Sequence, residues 1–171
     1  MTIGILINSK AKLHIIFQTT KYSAKLFSFF SFNRKKTLSL HHKFENMKKH
    51  EVIISLASNE NQEANLAKAR EQLTQLLEEV CFTSTIWTEP INTTRKEPYL
   101  NQLCKGTTAF GDGLLGEILK ETERRIGRIH NEDGIVVIDL DLLEFDGQKH
   151  HLRDWNRDYV KNLISELTIT D

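Results

Sequence analysis

The sequence predicts an α+β domain after about Met47, with an antiparallel sheet and helices packed on it. Two short apolar runs rich in β-branched residues, at 51–57 and 135–143, predict buried strands. Two amphipathic segments, at 61–79 and 114–126, predict helices that cover the sheet. The chain has 171 residues, a length that suits one domain with an extension.

The first half of the domain begins with the strand at 51–57, which ends at the turn-forming pair Ser58-Asn59. The helix that follows carries apolar residues three and four positions apart, a spacing that predicts one buried stripe. A further strand is predicted at 80–88, where threonine, isoleucine and tryptophan are enriched. The stripe consists of Leu66, Ala69, Leu73, Leu76 and Leu77.

The second half of the domain contains the remaining elements. They are strands at 99–107 and 135–143 and helices at 114–126 and about 154–167. Gly127 is expected to end the helix before it, because glycine readily adopts the left-handed backbone common at helix C-termini. Residues 131–134 predict a turn. The order β-α-β-β-α-β predicts a ferredoxin-like fold, with the helices on one face of the sheet.

Charge is unevenly divided along the chain. Of 23 basic and 23 acidic residues, residues 1–46 hold eight basic and one acidic, which leaves 15 basic and 22 acidic in 47–171. The domain therefore carries a net charge of −7. Binding to nucleic acid needs clustered cations, so we expect no nucleic-acid partner.

Residues 1–46 form a basic extension without a helical or strand period. Its aromatic stretch at 26–32 is too short to span a membrane. We interpret the extension as disordered or untranslated, with translation beginning at Met47; a transit peptide is the alternative. Cys81 and Cys104 lack any metal or disulfide spacing, which favours reduced thiols. We expect a cytoplasmic monomer without a membrane partner.

Asp139 and Asp141 lie within the apolar strand and carry the strongest chemical signal. Side chains at i and i+2 project from the same face of a strand, about 7 Å apart. Two carboxylates placed together require a nearby positive charge when they are buried, and Mg²⁺ prefers such oxygen ligands. The alternative is the solvent face of an alternating strand.

Two further groups offer polar side chains near the ends of elements. Glu123, Arg128 and His130 surround the end of the second helix, where a cation can reach a phosphate. The alternative, which is the usual one for such residues, is a solvated helix face with His130 in a loop. Tyr99 and Asn101 share a strand face and present a ring and an amide to a flat heterocycle. Ordinary edge-strand residues are the alternative there.

These motifs, taken in order, resemble the hydroxymethyl-dihydropterin pyrophosphokinase family. The family's fold is ferredoxin-like. The resemblance implies Mg²⁺-dependent transfer of pyrophosphate from ATP to 6-hydroxymethyl-7,8-dihydropterin, with release of AMP, in folate biosynthesis. The matching segments are Ser58-Asn59, Thr88-Glu89-Pro90, Tyr99-Leu100-Asn101, Glu123-x-x-x-Gly127-Arg128 and Ile138-Asp139-Leu140-Asp141-Leu142-Leu143.

The resemblance also implies residue roles. Asp139 and Asp141 would hold two Mg²⁺ ions, with ATP as co-substrate. Asn156-Arg157-Asp158-Tyr159 resembles the family's Asn-Arg-x-Phe segment. The implied catalytic residues are Arg128, Arg157 and His151. The implied ATP-binding residues are Glu123, Arg128 and His130, and the implied pterin-binding residues are Thr88, Pro90, Tyr99, Asn101 and Tyr159.

The chain departs from the family at its catalytic loop. Val136 stands where an arginine is expected, three residues before Asp139, and the family's Pro-His-Pro stretch is absent. His151 takes the place of its histidine. These departures support a second hypothesis, a catalytically weak or inactive nucleotide- or pterin-binding or interaction module. A replacement cation from Arg124, Arg125 or Arg153 would favour the enzyme.

Overall fold

A computed structural model describes residues 48–91, 96–128 and 134–168. The chain divides between Lys49 and His50 into two units, and the description below concerns the second, His50–Asp171. The predicted extension at 1–46 and the proposed start at Met47 lie outside the described residues. Within the described ranges, no helix has the length and apolar character needed to cross a membrane.

The described part of the second unit contains six strands and three α-helices. In chain order they are β1 (His50–Ser58), α1 (Gln62–Leu76), β2 (Glu78–Phe82), β3 (Ile86–Thr88), β4 (Tyr99–Thr108), α2 (Asp112–Ile126), β5 (Asp139–Phe145), β6 (Gln148–Lys149) and α3 (Asp158–Ile164). Short 3₁₀ turns at Asp154–Asn156 and Ser165–Thr168 flank α3.

All strand pairs are antiparallel, and the sheet order is β2-β4-β1-β5-β6. β3 also pairs with β4, next to the position of β2. The central strand β1 therefore lies between β4 and β5, as the split β-α-β arrangement requires. The predicted α+β, ferredoxin-like class is confirmed.

The strand predicted at 80–88 is wrong in one respect, because it is two strands separated by residues 83–85. The Thr83 hydroxyl accepts a bond from the Leu103 N–H at 3.0 Å. The side chain of Gln102 donates to the Thr83 carbonyl at 2.7 Å. Side chains thus replace part of the regular ladder at this point, and the strand is interrupted.

Two other predicted boundaries also differ. The strand predicted from residue 135 begins at Asp139. The predicted last helix is split at Arg157, whose backbone is extended between the 3₁₀ turn and α3.

Hydrophobic clusters cover both faces of the sheet. The first cluster packs α1 and α2 against one face and includes Leu56, Leu73, Leu119 and Leu140. α3 covers the opposite face, where Val160 and Leu163 meet neighbouring side chains of β4 and β5. Because strand side chains alternate between faces, the expectation of helices on one face holds for α1 and α2 and fails for α3. Each buried leucine contributes about 1.5–3 kcal/mol.

The face that carries α3 also carries the polar residues of interest. Ala57 of β1 pairs with Asn101 of β4 on one side and with Asp139 of β5 on the other. Ser55, two residues earlier, pairs with Asp141. The sheet register therefore places the predicted amide and the predicted carboxylates across one strand from each other.

Candidate functional site

The aspartate pair lies on the face of β5 opposite the main core. Leu140 and Leu142 are buried beneath it. The side chains of Asp139 and Asp141 remain 31% and 21% exposed. The alternation predicted for this strand is confirmed, and both carboxylates contact cations, which distinguishes them from an ordinary solvated face.

Glu123 of α2 is the buried anion of the site, with 3% of its side chain exposed. Its Oε1 accepts bonds from the Leu140 N–H at 2.7 Å and from Lys120 Nζ at 2.8 Å. Its Oε2 accepts a bond from Arg128 at 2.8 Å. Burial raises the pKa of Glu123, against the bonds and charges of these partners. A solvated helix face is excluded for Glu123.

Lys120 contacts all three carboxylates of the site. Its Nζ lies 3.0 Å from Asp141 Oδ1 and 3.5 Å from Asp139 Oδ1, and it also donates to the Leu140 carbonyl at 3.2 Å. Burial lowers the pKa of Lys120, but the bond to Glu123 and the aspartate charges outweigh it and raise the pKa overall. The sequence interpretation missed this residue, although its spacing of three from Glu123 places both on one helix face.

Arg128 reaches the site through the turn that ends α2. Gly127 has φ = 128°, a conformation that L side chains rarely adopt. The Arg128 N–H donates to the Glu123 carbonyl at 3.0 Å, which closes the helix end. The Arg128 Nη1 then contacts the carboxylates of both Glu123 and Asp139. The Arg128 side chain thereby links the end of α2 to the start of β5.

The cations hold Asp139 ionised. Burial alone would raise the pKa of Asp139, but Lys120 and Arg128 outweigh it and hold the pKa below its usual range. A carboxyl whose pKa is lower in the folded than in the unfolded state stabilises the fold above its unfolded pKa. That contribution is lost as the pH falls through the folded pKa.

We therefore expect the free energy of unfolding of Asp139→Asn to fall less at acid pH than that of the wild type. The difference in free energy of unfolding between the wild type and this variant should have its maximum value above about pH 4, the ordinary aspartate pKa. It should decrease as the pH falls below that value. Urea denaturation at pH 7 and pH 3 measures the difference. An equal difference at both values would contradict the expectation.

Ser58 and Asn59 hold the chain just before Asp139. The Ser58 hydroxyl donates to the Val137 carbonyl at 2.7 Å. Asn59 donates through its side chain to the Gly134 carbonyl at 2.8 Å and accepts the Val136 N–H at 2.6 Å. The Asn59 N–H also donates to the Val136 carbonyl at 2.9 Å. The backbone at 134–137 is therefore held by Ser58 and Asn59, and β5 begins at Asp139.

Asn59→Ala is expected to lower the free energy of unfolding by about 1–3 kcal/mol, because the part-buried Val136 N–H and Gly134 carbonyl lose their partners. Equilibrium urea denaturation measures the loss. Asn162→Ala, the same chemical change at an exposed helical position of α3, is the control. Equal losses in the two variants would contradict the role of Asn59.

Comparison with known proteins agrees with this geometry. The family model for 7,8-dihydro-6-hydroxymethylpterin-pyrophosphokinase matches residues 53–169, more than half of the chain. The chain belongs to this family. Membership implies a pterin pyrophosphokinase, a transferase of folate biosynthesis. No curated protein sequence matches the chain.

The metal chemistry of the pyrophosphokinase family suits the aspartate pair. Two carboxylate oxygens, from Asp139 and Asp141, converge on one ammonium group, Lys120 Nζ. The ammonium group occupies the position between the carboxylates where a metal ion would bind. Hard oxygen donors around one positive centre are the ligand type that Mg²⁺ takes, so these residues fit the ion.

Four of the five residues that the family resemblance assigns to the pterin lie at or just beyond the end of β3 and at the start of β4, and the fifth, Tyr159, lies in α3. The Asn101 amide nitrogen donates to the Thr88 hydroxyl at 2.9 Å and to the Ile86 and Tyr99 carbonyls at 3.3 Å. These acceptors orient the amide with its oxygen directed away from them. Tyr99 pairs with Thr88, and Pro90 is half-buried just beyond β3. Three of these residues therefore form one connected group.

Of the C-terminal residues assigned by resemblance, His151 lies beside the aspartate pair, 4.0 Å from Asp141. His151, Asp154 and Asp141 place one ligand atom each within 4.8 Å of one another. Arg157 bonds Asp154 at 2.8 Å rather than contacting Asp139 or Asp141. Burial raises the pKa of Tyr159 to about 12, which keeps its hydroxyl protonated at neutral pH.

Two arginines considered as replacements for the missing loop arginine pair with another residue. Val136, in the place of the family arginine, binds the end of β1 through its backbone. Arg124 and Arg125 both pair with Glu121, away from the aspartates. His130 and most of the predicted turn at 131–134 lie outside the described residues. Within the described ranges, the cations that pair with the aspartates of β5 are Lys120 and Arg128, and the imidazole of His151 lies 4.0 Å from Asp141.

Proposed function

We propose that this chain transfers pyrophosphate from ATP to 6-hydroxymethyl-7,8-dihydropterin and releases AMP, with Mg²⁺ as cofactor. The observation that carries the proposal is the convergence of Asp139 and Asp141 on one cation beside Arg128. Family membership supplies the substrate class. Carboxylates for metal and cations for phosphate are the groups that phosphoryl transfer requires.

The reaction is one displacement at the β-phosphorus of ATP. A bond forms between the hydroxymethyl oxygen and this phosphorus. The bond from the phosphorus to the oxygen bridging the α-phosphate breaks, and AMP leaves with its electron pair. The hydroxyl proton is released. Two Mg²⁺ ions, when bound, neutralise charge on the phosphates and polarise their oxygens.

The side chains of the chain supply binding and position. Asp139 and Asp141 bind metal, and Glu123 holds Arg128 in place for the nucleotide. Because the transition state carries its charge on phosphate oxygens, fixed cations matter more than a strong base. His130 is assigned to ATP by resemblance alone.

Two further groups act at the edges of the site. On the side of Asp154, Arg157 adds positive charge and His151 adds an imidazole. Thr88, Pro90, Tyr99 and Asn101 receive the pterin ring, with Tyr159 stacking on it. An aromatic and amide lining suits a flat, uncharged heterocycle.

A second candidate function is a module that binds nucleotide or pterin with little turnover. Val136, a neutral residue where the family carries arginine, favours this alternative. The loss of one phosphate-binding arginine can reduce phosphoryl transfer by about 10³-fold or more. The two candidates share the same binding groups and differ in rate.

The test is AMP release by the purified chain with ATP, Mg²⁺ and 6-hydroxymethyl-7,8-dihydropterin. We expect AMP that depends on both the pterin and the metal, with omission of either as the control. Release of ADP instead would contradict pyrophosphate transfer. Binding of both ligands without AMP would favour the module.

A further inference from the structure

Lys120 occupies the central position among the charged groups of the site. Its Nζ lies within 3.5 Å of Glu123, Asp139 and Asp141. The side chain remains 45% exposed. It also lines a cavity of about 210 Å³ together with Asp141 and His151. The ammonium group therefore has open space beside it as well as anionic partners.

The charges around Lys120 do not balance. Glu123, Asp139 and Asp141 carry three negative charges, and Lys120 and Arg128 carry two positive charges. The cluster without metal is therefore net negative. A metal cation coordinated by the two aspartates would repel an ammonium group held 3.0 Å from Asp141.

Glu123 can keep Lys120 near the site when the aspartates coordinate a metal ion. Its Oε1 accepts from Lys120 at 2.8 Å, and the Leu140 N–H and Arg128 fix the carboxylate in place. A lysine has three donors on a flexible stem, so it can keep one bond and redirect the others. Arg128, which bridges two carboxylates, lacks this freedom.

We propose that Lys120 is the phosphate-binding cation that replaces the arginine absent at Val136. In the metal-free site, Lys120 occupies the aspartate pair as an internal cation. When the aspartates coordinate metal, Lys120 leaves them and binds a phosphate oxygen of the nucleotide. This inference rests on the proposed function, because it assumes a metal–nucleotide substrate.

Lys120→Met tests the exchange, because methionine is an unbranched side chain only one atom shorter than lysine and has no charge. Mn²⁺ binding without nucleotide, followed by electron paramagnetic resonance, should become about tenfold tighter. Binding of Mg²⁺ with α,β-methylene-ATP, followed by calorimetry, should become about 10- to 100-fold weaker. A residue with a structural role alone would not move the two affinities in opposite directions.

Two further variants complete the experiment. Lys120→Arg keeps the charge and should retain nucleotide binding within a few-fold. Lys105→Met removes a lysine that pairs with Glu51, outside the site, and should leave both affinities unchanged. If Lys120→Met does not fold, Lys120→Gln replaces it in both measurements.

The outcomes separate the inference from the proposed function. A wild-type chain that binds the nucleotide analogue, with a Lys120→Met variant of equal affinity, would overturn the role of Lys120 alone. Unchanged Mn²⁺ affinity in that variant would overturn the exchange at the aspartates. A wild-type chain that binds no nucleotide with Mg²⁺ would overturn both the inference and the proposed function.

Discussion

Asp139→Asn is expected to lower the rate of pterin-dependent AMP release by about 10³-fold or more, because metal stabilisation of the phosphate charge contributes several kcal/mol. The variant keeps the size of the side chain but loses the charge that faces Lys120 and Arg128. AMP formation over time, at saturating ATP and Mg²⁺, measures the loss. Nucleotide binding that depends on Mg²⁺ should fall in parallel.

Asp146→Asn is the matched control for this prediction. Asp146 follows β5 at its other end and bonds His50 at 2.8 Å, remote from the aspartate pair. The same chemical change there should leave AMP release unaltered. Equal rates for the wild type and Asp139→Asn would refute the metal assignment and remove the main support for the proposed function.

Glu123→Ala is expected to cause the largest loss of stability, about 2–4 kcal/mol. The change removes a buried carboxylate and leaves the Leu140 N–H without its acceptor at 2.7 Å. It also removes one partner from each of Lys120 and Arg128. The free energy of unfolding in urea measures the effect.

Glu121→Ala provides the comparison on the same helix. Glu121 pairs with Arg124 and Arg125 at the protein surface, where ion pairs contribute roughly 0–1 kcal/mol. The cost of removing Glu123 should therefore exceed that of removing Glu121 several-fold. Similar costs for both variants would show that the buried network adds little to stability.

The order of elements was predictable because hydrophobic periodicity reports which side chains each element buries. The stripe at Leu66, Ala69 and Leu73 is fully buried, and β5 alternates as its pattern indicates. Boundaries were less predictable. The break at Thr83 depends on bonds from Gln102 and Leu103, about twenty residues away along the chain.

The candidate site was predictable in part. Asp139, Asp141, Glu123 and Arg128 stood out because their types and spacing match a known order of motifs, and the structure brings these four together. Their catalytic and binding roles remain predictions. Arg157 was assigned to phosphate, yet its contact here is Asp154. A short sequence motif shows which residue types are present but does not show which neighbour each side chain contacts in the folded protein.

The sequence alone determined the fold class, the family and the identity of the acidic pair, because these depend on periodic burial and on local order along the chain. Only the tertiary structure decided that Lys120 joins the site and that Arg124 and Arg125 do not. The physical reason is packing. α2 lies against β5 with the face of Glu123 inward, so Lys120 on that face reaches carboxylates about twenty residues further along the chain.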